Sequence, residues 1–220
     1  MAEHSPPAHR TLRIGIVVFD EVEVLDAFGP FEVFSVASRI ANPESPEAFT
    51  VTLVQVDPDA AFVTARGGLQ FRASCSILNA PEFDLILVTG GVTDQVEHNP
   101  QLLRWLDERI NRSTGSTPLL ASVCTGAFIL ANAGVVADGT VTTHWEDAEE
   151  LARRFPALTV VTDVRWVRQG GVFTSAGISA GIDLSLHLVE QLISRERALA
   201  TARQMDYDWR GNEGTLERER

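Results

Sequence analysis

Ser122-Val123-Cys124-Thr125-Gly126 is preceded by the apolar run Pro118-Leu119-Leu120-Ala121 and followed by Ala127-Phe128-Ile129-Leu130-Ala131. The first run has the composition of a buried strand and the last that of a helix. A single cysteine therefore stands where strand turns sharply into helix, the arrangement of a nucleophile elbow with sulfur in place of serine oxygen. Such a turn lifts the side chain clear of the sheet. The helix behind it aims unpaired backbone N–H groups and a positive dipole end at the thiol. Both effects favour thiolate, the reactive form. A small buried hydrophobe is the competing reading of any free cysteine, and the flanking pattern weighs against it here.

The segments around the elbow alternate between strand and helix. Leu12 to Phe19 is a nearly continuous apolar run, as expected of a strand buried on both faces of a parallel sheet. Asp20 with Glu23 three places on predicts a helix opening at Asp20, interrupted at Gly29-Pro30 and resuming to about Ile40. Residues 42–46 read as a loop, Phe49 to Val56 as a strand, and Leu69 to Arg72 as a small antiparallel excursion. Leu85-Ile86-Leu87-Val88 is another buried strand, ending in Gly90-Gly91. Pro100 marks the first turn of a helix whose inner face is Leu102, Leu103, Leu106 and Ile110. Beyond the elbow, Trp145 to Phe155 reads as helix, Leu158 to Val164 as strand, Gly170-Gly171 as a hairpin turn, and Gly181 to Ile193 and Arg195 to Tyr207 as helices. The pattern implies an α/β three-layer sandwich with a mostly parallel sheet. One domain is expected over residues 11–209, between a disordered leader at 1–10 and a charged, flexible tail at 210–220.

Composition bounds the function. A chain of 220 residues with 45% hydrophobic content has room for one sizeable core. A formal charge of −12 argues against a nucleic-acid or anionic-membrane surface, which needs clustered Lys and Arg. No segment reaches the roughly 18 apolar residues that would cross a bilayer. Two cysteines, Cys75 and Cys124, make neither a disulfide framework nor a metal spacing, and a reducing cytoplasm is the natural compartment. Cys75 lacks an elbow and reads as inert. No metal cluster, phosphate loop or nucleotide fingerprint is present, so no cofactor is implied.

In a doubly wound sheet, the loops at the carboxyl ends of the strands form the ligand crevice. If the strands before Asp26, Gly90-Gly91 and Cys124 are parallel neighbours, those residues converge there. The blocks Leu25-Asp26…Gly29-Pro30, Gly90-Gly91, Ser122-Val123-Cys124-Thr125-Gly126, Thr142-Thr143-His144-Trp145 and Gly177 to Asp183 resemble the ThiJ/PfpI superfamily, with its flavodoxin-like, class I glutamine amidotransferase-like fold. Within it they are most similar to the isocyanide-hydratase group, over about Leu12 to Leu192.

The resemblance implies that Cys124 is the nucleophile and Asp26 the carboxylate contacting its sulfur. Thr125 stands where protease-like and glyoxalase-like members carry histidine, which counts against those activities. The implied reaction adds water to an isocyanide, giving an N-substituted formamide through a Cys124 thioimidate, with Asp26 relaying a proton. Backbone N–H groups of Gly91 and Thr125, beside Gly90, are expected to stabilise developing charge. His144 is read as shaping the crevice, with a base partner as the lesser alternative. Trp145 and Phe28 are expected as pocket walls, and Ser179 with Asp183 as the pair that caps and anchors the helix opening near Gly177. The resemblance also implies a homodimer acting on a small molecule.

Two other classes stay open. Similar domains form the N-terminal half of certain AraC-type regulators, which suggests a ligand sensor without its DNA-binding half. A low-pKa thiol beside Asp26 would also suit a redox sensor.

Overall fold

The structure, a computed structural model, describes residues 10–40, 48–111, 118–209 and 216–218. All of the expected leader but Arg10, the 42–46 loop and most of the expected tail lie outside the described residues. In chain order the elements are β1 (Leu12–Val18), α1 (Val24–Arg39), β2 (Phe49–Gln55), β3 (Val63–Thr64), β4 (Gln70–Phe71), β5 (Cys75–Ser76) and β6 (Leu85–Val88). Then come α2 (Pro100–Asn111), β7 (Leu119–Val123), α3 (Gly126–Asn132), β8 (Gly139–Val141), α4 (Ala148–Arg154) and β9 (Leu158–Val160). The last are β10 (Trp166–Gln169), β11 (Val172–Ser175), α5 (Ala180–Leu192), α6 (Arg195–Gln204) and β12 (Leu216–Arg218).

One sheet carries the fold, in the order β12-β10-β11-β7-β6-β1-β2-β5. Every pairing in it is parallel except β10 with β11, which form a hairpin across Gly170-Gly171. Helices α1, α5 and α6 pack on one another as one covering layer, and α3 lies on β6 and β7. With both faces covered, Ile14, Ile16, Val17 and Val18 of β1 and all four residues of β6 are buried. That double burial explains why these strands read as continuous apolar runs rather than alternating ones. Among the described residues no helix is long and apolar enough to cross a membrane.

The sheet brings the site together. β6 lies between β1 and β7, with Ile16 level with Leu87 and Leu87 level with Ala121. The segments that follow these three neighbours leave the same edge side by side, and they carry Asp26 in the first turn of α1, Gly90-Gly91 and Cys124. The Thr89 hydroxyl donates to Val17 O at 2.7 Å and ties the end of β6 to β1.

Helix α1 departs from expectation at both signals. It opens after Glu23, not at Asp20, because the Asp20 carboxylate accepts the Thr64 N–H of β3 at 2.8 Å and is unavailable as a cap. It also runs unbroken through Pro30. Proline costs an interior helix one hydrogen bond, but Pro30 is buried where Gly181 of α5 admits a close approach, and this packing holds the turn in place. The strand expected over Leu158 to Val164 stops at Val160, and Trp145–Asp147 forms a 3₁₀ turn ahead of α4. Leu216–Arg218, within the expected tail, is an edge strand parallel to β10.

Candidate active site

Cys124 has φ +56°, the left-handed region that a side chain adopts only under local constraint. The constraint is visible. Its N–H is shared between Ser175 O at 3.2 Å and Ala176 O at 3.3 Å, and its carbonyl accepts the Thr143 hydroxyl at 2.8 Å. The elbow is thus gripped from β11 on one side and from the segment after β8 on the other. Behind it the chain passes so close to β6 that a Cβ on Gly126 would stand 2.4 Å from Val88 O. Gly90 meets the same limit: a Cβ there would lie 2.6 Å from Thr125 N and 2.7 Å from the Cys124 Cβ. Glycine is required at both positions by crowding around the sulfur-bearing corner.

Asp26, in the first turn of α1, is fully buried against this corner. Its Oδ2 accepts the Gly90 N–H at 3.0 Å, and its carboxyl also interacts with the Cys124 thiol. Its Oδ1 is buried with no conventional hydrogen-bond partner. Loss of hydration is the main cause that pushes the Asp26 carboxyl up to about 7, with the nearby Glu23 charge adding to it. The Gly90 N–H, the thiol and the Arg66 charge pull the other way.

The thiol itself is pushed up to about 12, first by burial and then by the Asp26 carboxylate. Hydrogen bonds from the Thr125 backbone and hydroxyl lower it only in part. This corrects the expectation of a resting thiolate: the elbow amide is present, but burial outweighs it. Near neutral pH the corner holds a thiol beside a carboxyl poised between its two protonation states.

Thr125 is bound to Gly91 twice, its hydroxyl accepting the Gly91 N–H at 2.9 Å and donating to Gly91 O at 2.9 Å. The Gly91 N–H, expected together with that of Thr125 to stabilise developing charge, is therefore already engaged by the Thr125 hydroxyl, and the Gly90 N–H by Asp26. These glycines hold the machinery in register. Phe28 packs edge-on against Phe71 of β4, with ring centroids 4.9 Å apart, and docks the β3–β4 hairpin onto α1. The hairpin is also tied to the β1–α1 loop through Glu21 N–H to Thr64 O and Arg66 N–H to Val22 O.

The Thr142 to Trp145 segment forms the facing wall. Trp145 is 72% exposed and tilted against His144. Both line a cavity of about 260 Å³, along with Thr143, Arg165, Ala176 and Ile178. Asp183, in the first turn of α5, is bound by Arg165 in two contacts, one at 2.6 Å; Ser179 stands at the N-cap, but its hydroxyl accepts from Arg165 and makes no capping bond, which corrects the capping role expected of it. Three groups around the site went unnoticed at the sequence level: Thr143 as the clamp on Cys124, Asp147 beside His144, and Arg66 on the hairpin. Asp147 alone left a trace, its spacing of three from His144. Among the described residues no three His, Cys, Asp or Glu side chains are grouped as a metal site requires.

A sequence profile of the DJ-1/PfpI family matches residues 12–191. The isonitrile hydratase of Pseudomonas putida is 31% identical over 197 residues, covering 89% of this chain and 78% of that one. The HTH-type transcriptional regulator GbdR of Pseudomonas aeruginosa is 27% identical over 209 residues, covering 94% of this chain but 54% of the regulator. This chain thus spans about half the length of that relative. Among solved structures, a ThiJ/PfpI family protein from Pseudomonas syringae superposes with TM-score 0.77 at 24% identity, covering 94% of this chain and 82% of that one. That likeness carries the fold alone.

Proposed function

The chain belongs to the DJ-1/PfpI family, and from that premise we propose that it is a cysteine-dependent hydratase converting isocyanides to N-substituted formamides. The supporting observation is the buried pair of Cys124 thiol and Asp26 carboxyl, both raised toward their protonated forms. Addition to an isocyanide carbon requires a nucleophile and a proton at the same atom. A neutral thiol beside a proton-carrying carboxyl supplies both. In this reading Asp26 delivers its proton to the isocyanide carbon while the Cys124 S–H passes its own to Asp26, and the S–C bond forms. The product is a thioimidate, S–CH=N–R, with Asp26 again protonated. Water then adds to its carbon, nitrogen takes a proton, and C–S cleavage releases the formamide and regenerates the thiol. The unpartnered Oδ1 of Asp26 suits this exchange, because it has a free lone pair or proton to offer.

Carried over with this reading are a small-molecule substrate and a homodimeric assembly. The assay is formamide appearance from cyclohexyl isocyanide with wild type, Cys124→Ala and Asp26→Asn. Turnover is expected in the wild type only, with each variant reduced at least 100-fold, in the range that general acid–base groups supply. A second reading, a ligand-sensing domain, is supported by the alignment of 94% of this chain with the GbdR regulator. Wild type that fails to turn over, with an intact and alkylatable Cys124, would decide for the sensor.

A further inference from the structure

A second cavity, of about 470 Å³, opens at the carboxyl edge of the sheet, between the ends of β1 and β2 and the segment after β6. Neither Cys124 nor Asp26 lines it. Its volume lies within the range of about 300–1,000 Å³ usual for small-molecule sites. The floor is apolar, formed by the buried side chains of Phe19, Val56, Val63 and Val96. The lip carries four exposed carboxylates, Asp20, Glu21, Asp57 and Asp94, and no Lys, Arg or His takes part in the lining.

The walls are fixed by the chain itself. Gln55 Nε2 donates to Asp57 O at 2.7 Å and to Ala60 O at 2.9 Å, and so folds the segment after β2 along one wall. In another wall Glu21 has φ +65° and is held there from both ends, its N–H donating to Thr64 O at 2.8 Å and its carbonyl accepting the Val92 N–H at 3.1 Å. Asp20 and Asp57 each accept one backbone N–H, from Thr64 and Asp59. Among the described residues no salt bridge reaches any of the four carboxylates. Charges of one sign around a cleft with low-dielectric walls focus their field into it and concentrate ions of the opposite sign there. A metal ion does not suit this field: among the described residues no three His, Cys, Asp or Glu side chains are grouped as a metal site requires, and hydrocarbon forms the floor.

We infer that this cavity is a second ligand site, specific for a small organic cation whose ammonium group lies at the carboxylate lip and whose hydrocarbon body covers the apolar floor. Each half of such a ligand meets a complementary surface. The hydrocarbon leaves water for Phe19 and the valines, while the ammonium stays hydrated at the exposed lip and gains the field of the carboxylates. An anion of the same size meets repulsion at the lip, and a cation without a hydrocarbon body gains nothing from the floor. The site is independent of the hydratase reading, because it shares neither the nucleophile nor the carboxyl of the Cys124–Asp26 corner.

The test is a ligand-detected NMR titration of the full chain with 2-phenylethylammonium, beside three matched probes: 2-phenylethanol, 3-phenylpropanoate and methylammonium. The first is expected to bind about tenfold more tightly than any of the other three, or better, by one field and one floor acting together. Its affinity should fall as ionic strength rises. Ala60→Trp, which fills the cavity from the wall after β2, should abolish the binding. Glu21→Gln combined with Asp94→Asn should weaken it about fivefold, the scale of two exposed charge pairs. Both carboxylates are exposed, so the double variant keeps the test readable if Ala60→Trp impairs folding. Equal affinity for the ammonium and the alcohol, methylammonium bound as tightly as its aryl homologue, or no binding of any probe would overturn the site. So would binding that survives in a folded Ala60→Trp variant or is undiminished in the double carboxylate variant. Formamide appearance is read separately, so failure of this site and failure of the hydratase reading are distinguished.

Discussion

A carboxyl group fully buried beside a thiol is stable only while protons are shared between the two, and this sets the behaviour of the site with pH. An unfolded Asp26 ionises at its ordinary value near 3.8, whereas the folded one is held up to about 7. Between those limits the folded chain binds the extra proton, so stability falls as pH rises from about 4 to 7 and stays reduced above. Asp26→Asn removes that loss and keeps an oxygen for the Gly90 N–H. The variant should match wild type near pH 4 and gain at most about 4 kcal/mol at pH 8, the ceiling set by a shift of about three pKa units. Denaturant melts at the two pH values check this, and an equal difference at both would sink it. The activity should move the same way: if protonated Asp26 delivers the proton, turnover falls as pH rises through about 7. At this scale the sequence is a partial guide. The positions of Cys124, Asp26 and Thr125 are legible from the corners they occupy. The protonation state is not, because burial of the thiol depends on Thr143, Ser175 and Ala176, remote in sequence and joined only by folding. For the same reason the engagement of the Gly90 and Gly91 amides is invisible beforehand.

Elements are positioned by a few side chains whose partners lie far along the chain. The 3₁₀ turn Val96–His98 after β6 carries Glu97, almost fully buried. Its Oε1 meets Arg154 Nη2 at 2.7 Å and His98 Nε2 at 3.2 Å. Arg154 ends α4 and lies over the rings of Phe128 and Phe155, at 5.0 and 5.6 Å. One arginine thus fastens α4 and the Val96–His98 turn to α3, the helix behind the elbow. Arg154→Met would keep most of the packing but strand a buried carboxylate, so a loss of about 3–5 kcal/mol is expected. Glu97→Gln combined with Arg154→Met should recover much of it. A double variant as unstable as Arg154→Met would mean that the arginine acts through its ring contacts and not its charge. The same scale explains where helix α1 escapes a sequence reading. Asp20 and Glu23 have the spacing of a cap, but Thr64, more than 40 residues away, takes the Asp20 carboxylate. Gly29-Pro30 looks like a break, but α5 packs against it. Local signals were outbid by tertiary contacts in both places. Where no such contact competes, as at Asn99, whose Oδ1 caps Gln101 and Leu102 N–H ahead of Pro100, the helix begins where the sequence places it.

At the scale of the molecule, the strand order keeps the two halves of the chain side by side and joins them through one pairing. β1, β2, β5 and β6 come from the first half and β7, β10, β11 and β12 from the second, and β6 pairs with β7 along four residues where they meet. The seam between the halves is therefore an interior pair of largely buried strands, and the Cys124–Asp26 corner lies at its end: Gly90 follows β6 and Cys124 follows β7. Neither half can bury its face of the seam alone, because Leu85, Ile86, Leu87 and Val88 would be left against water. The continuous apolar strands made this mostly parallel sheet legible from sequence. Their neighbour relations came from the topology of crossovers, which periodicity does not encode. One cooperative unit follows as a proposal for residues 11–209. Near-ultraviolet signal from the tryptophans, of which Trp166 is fully buried in β10 and Trp105 nearly so in α2, should be lost at the same denaturant concentration as far-ultraviolet helix signal. Alkylation of Cys124 should accelerate at that concentration too, since the seam that buries most of the thiol parts there. Alkylation that runs ahead of both optical transitions would instead show that the corner opens locally while the sheet stays paired, and the site would then be gated independently of the fold that builds it.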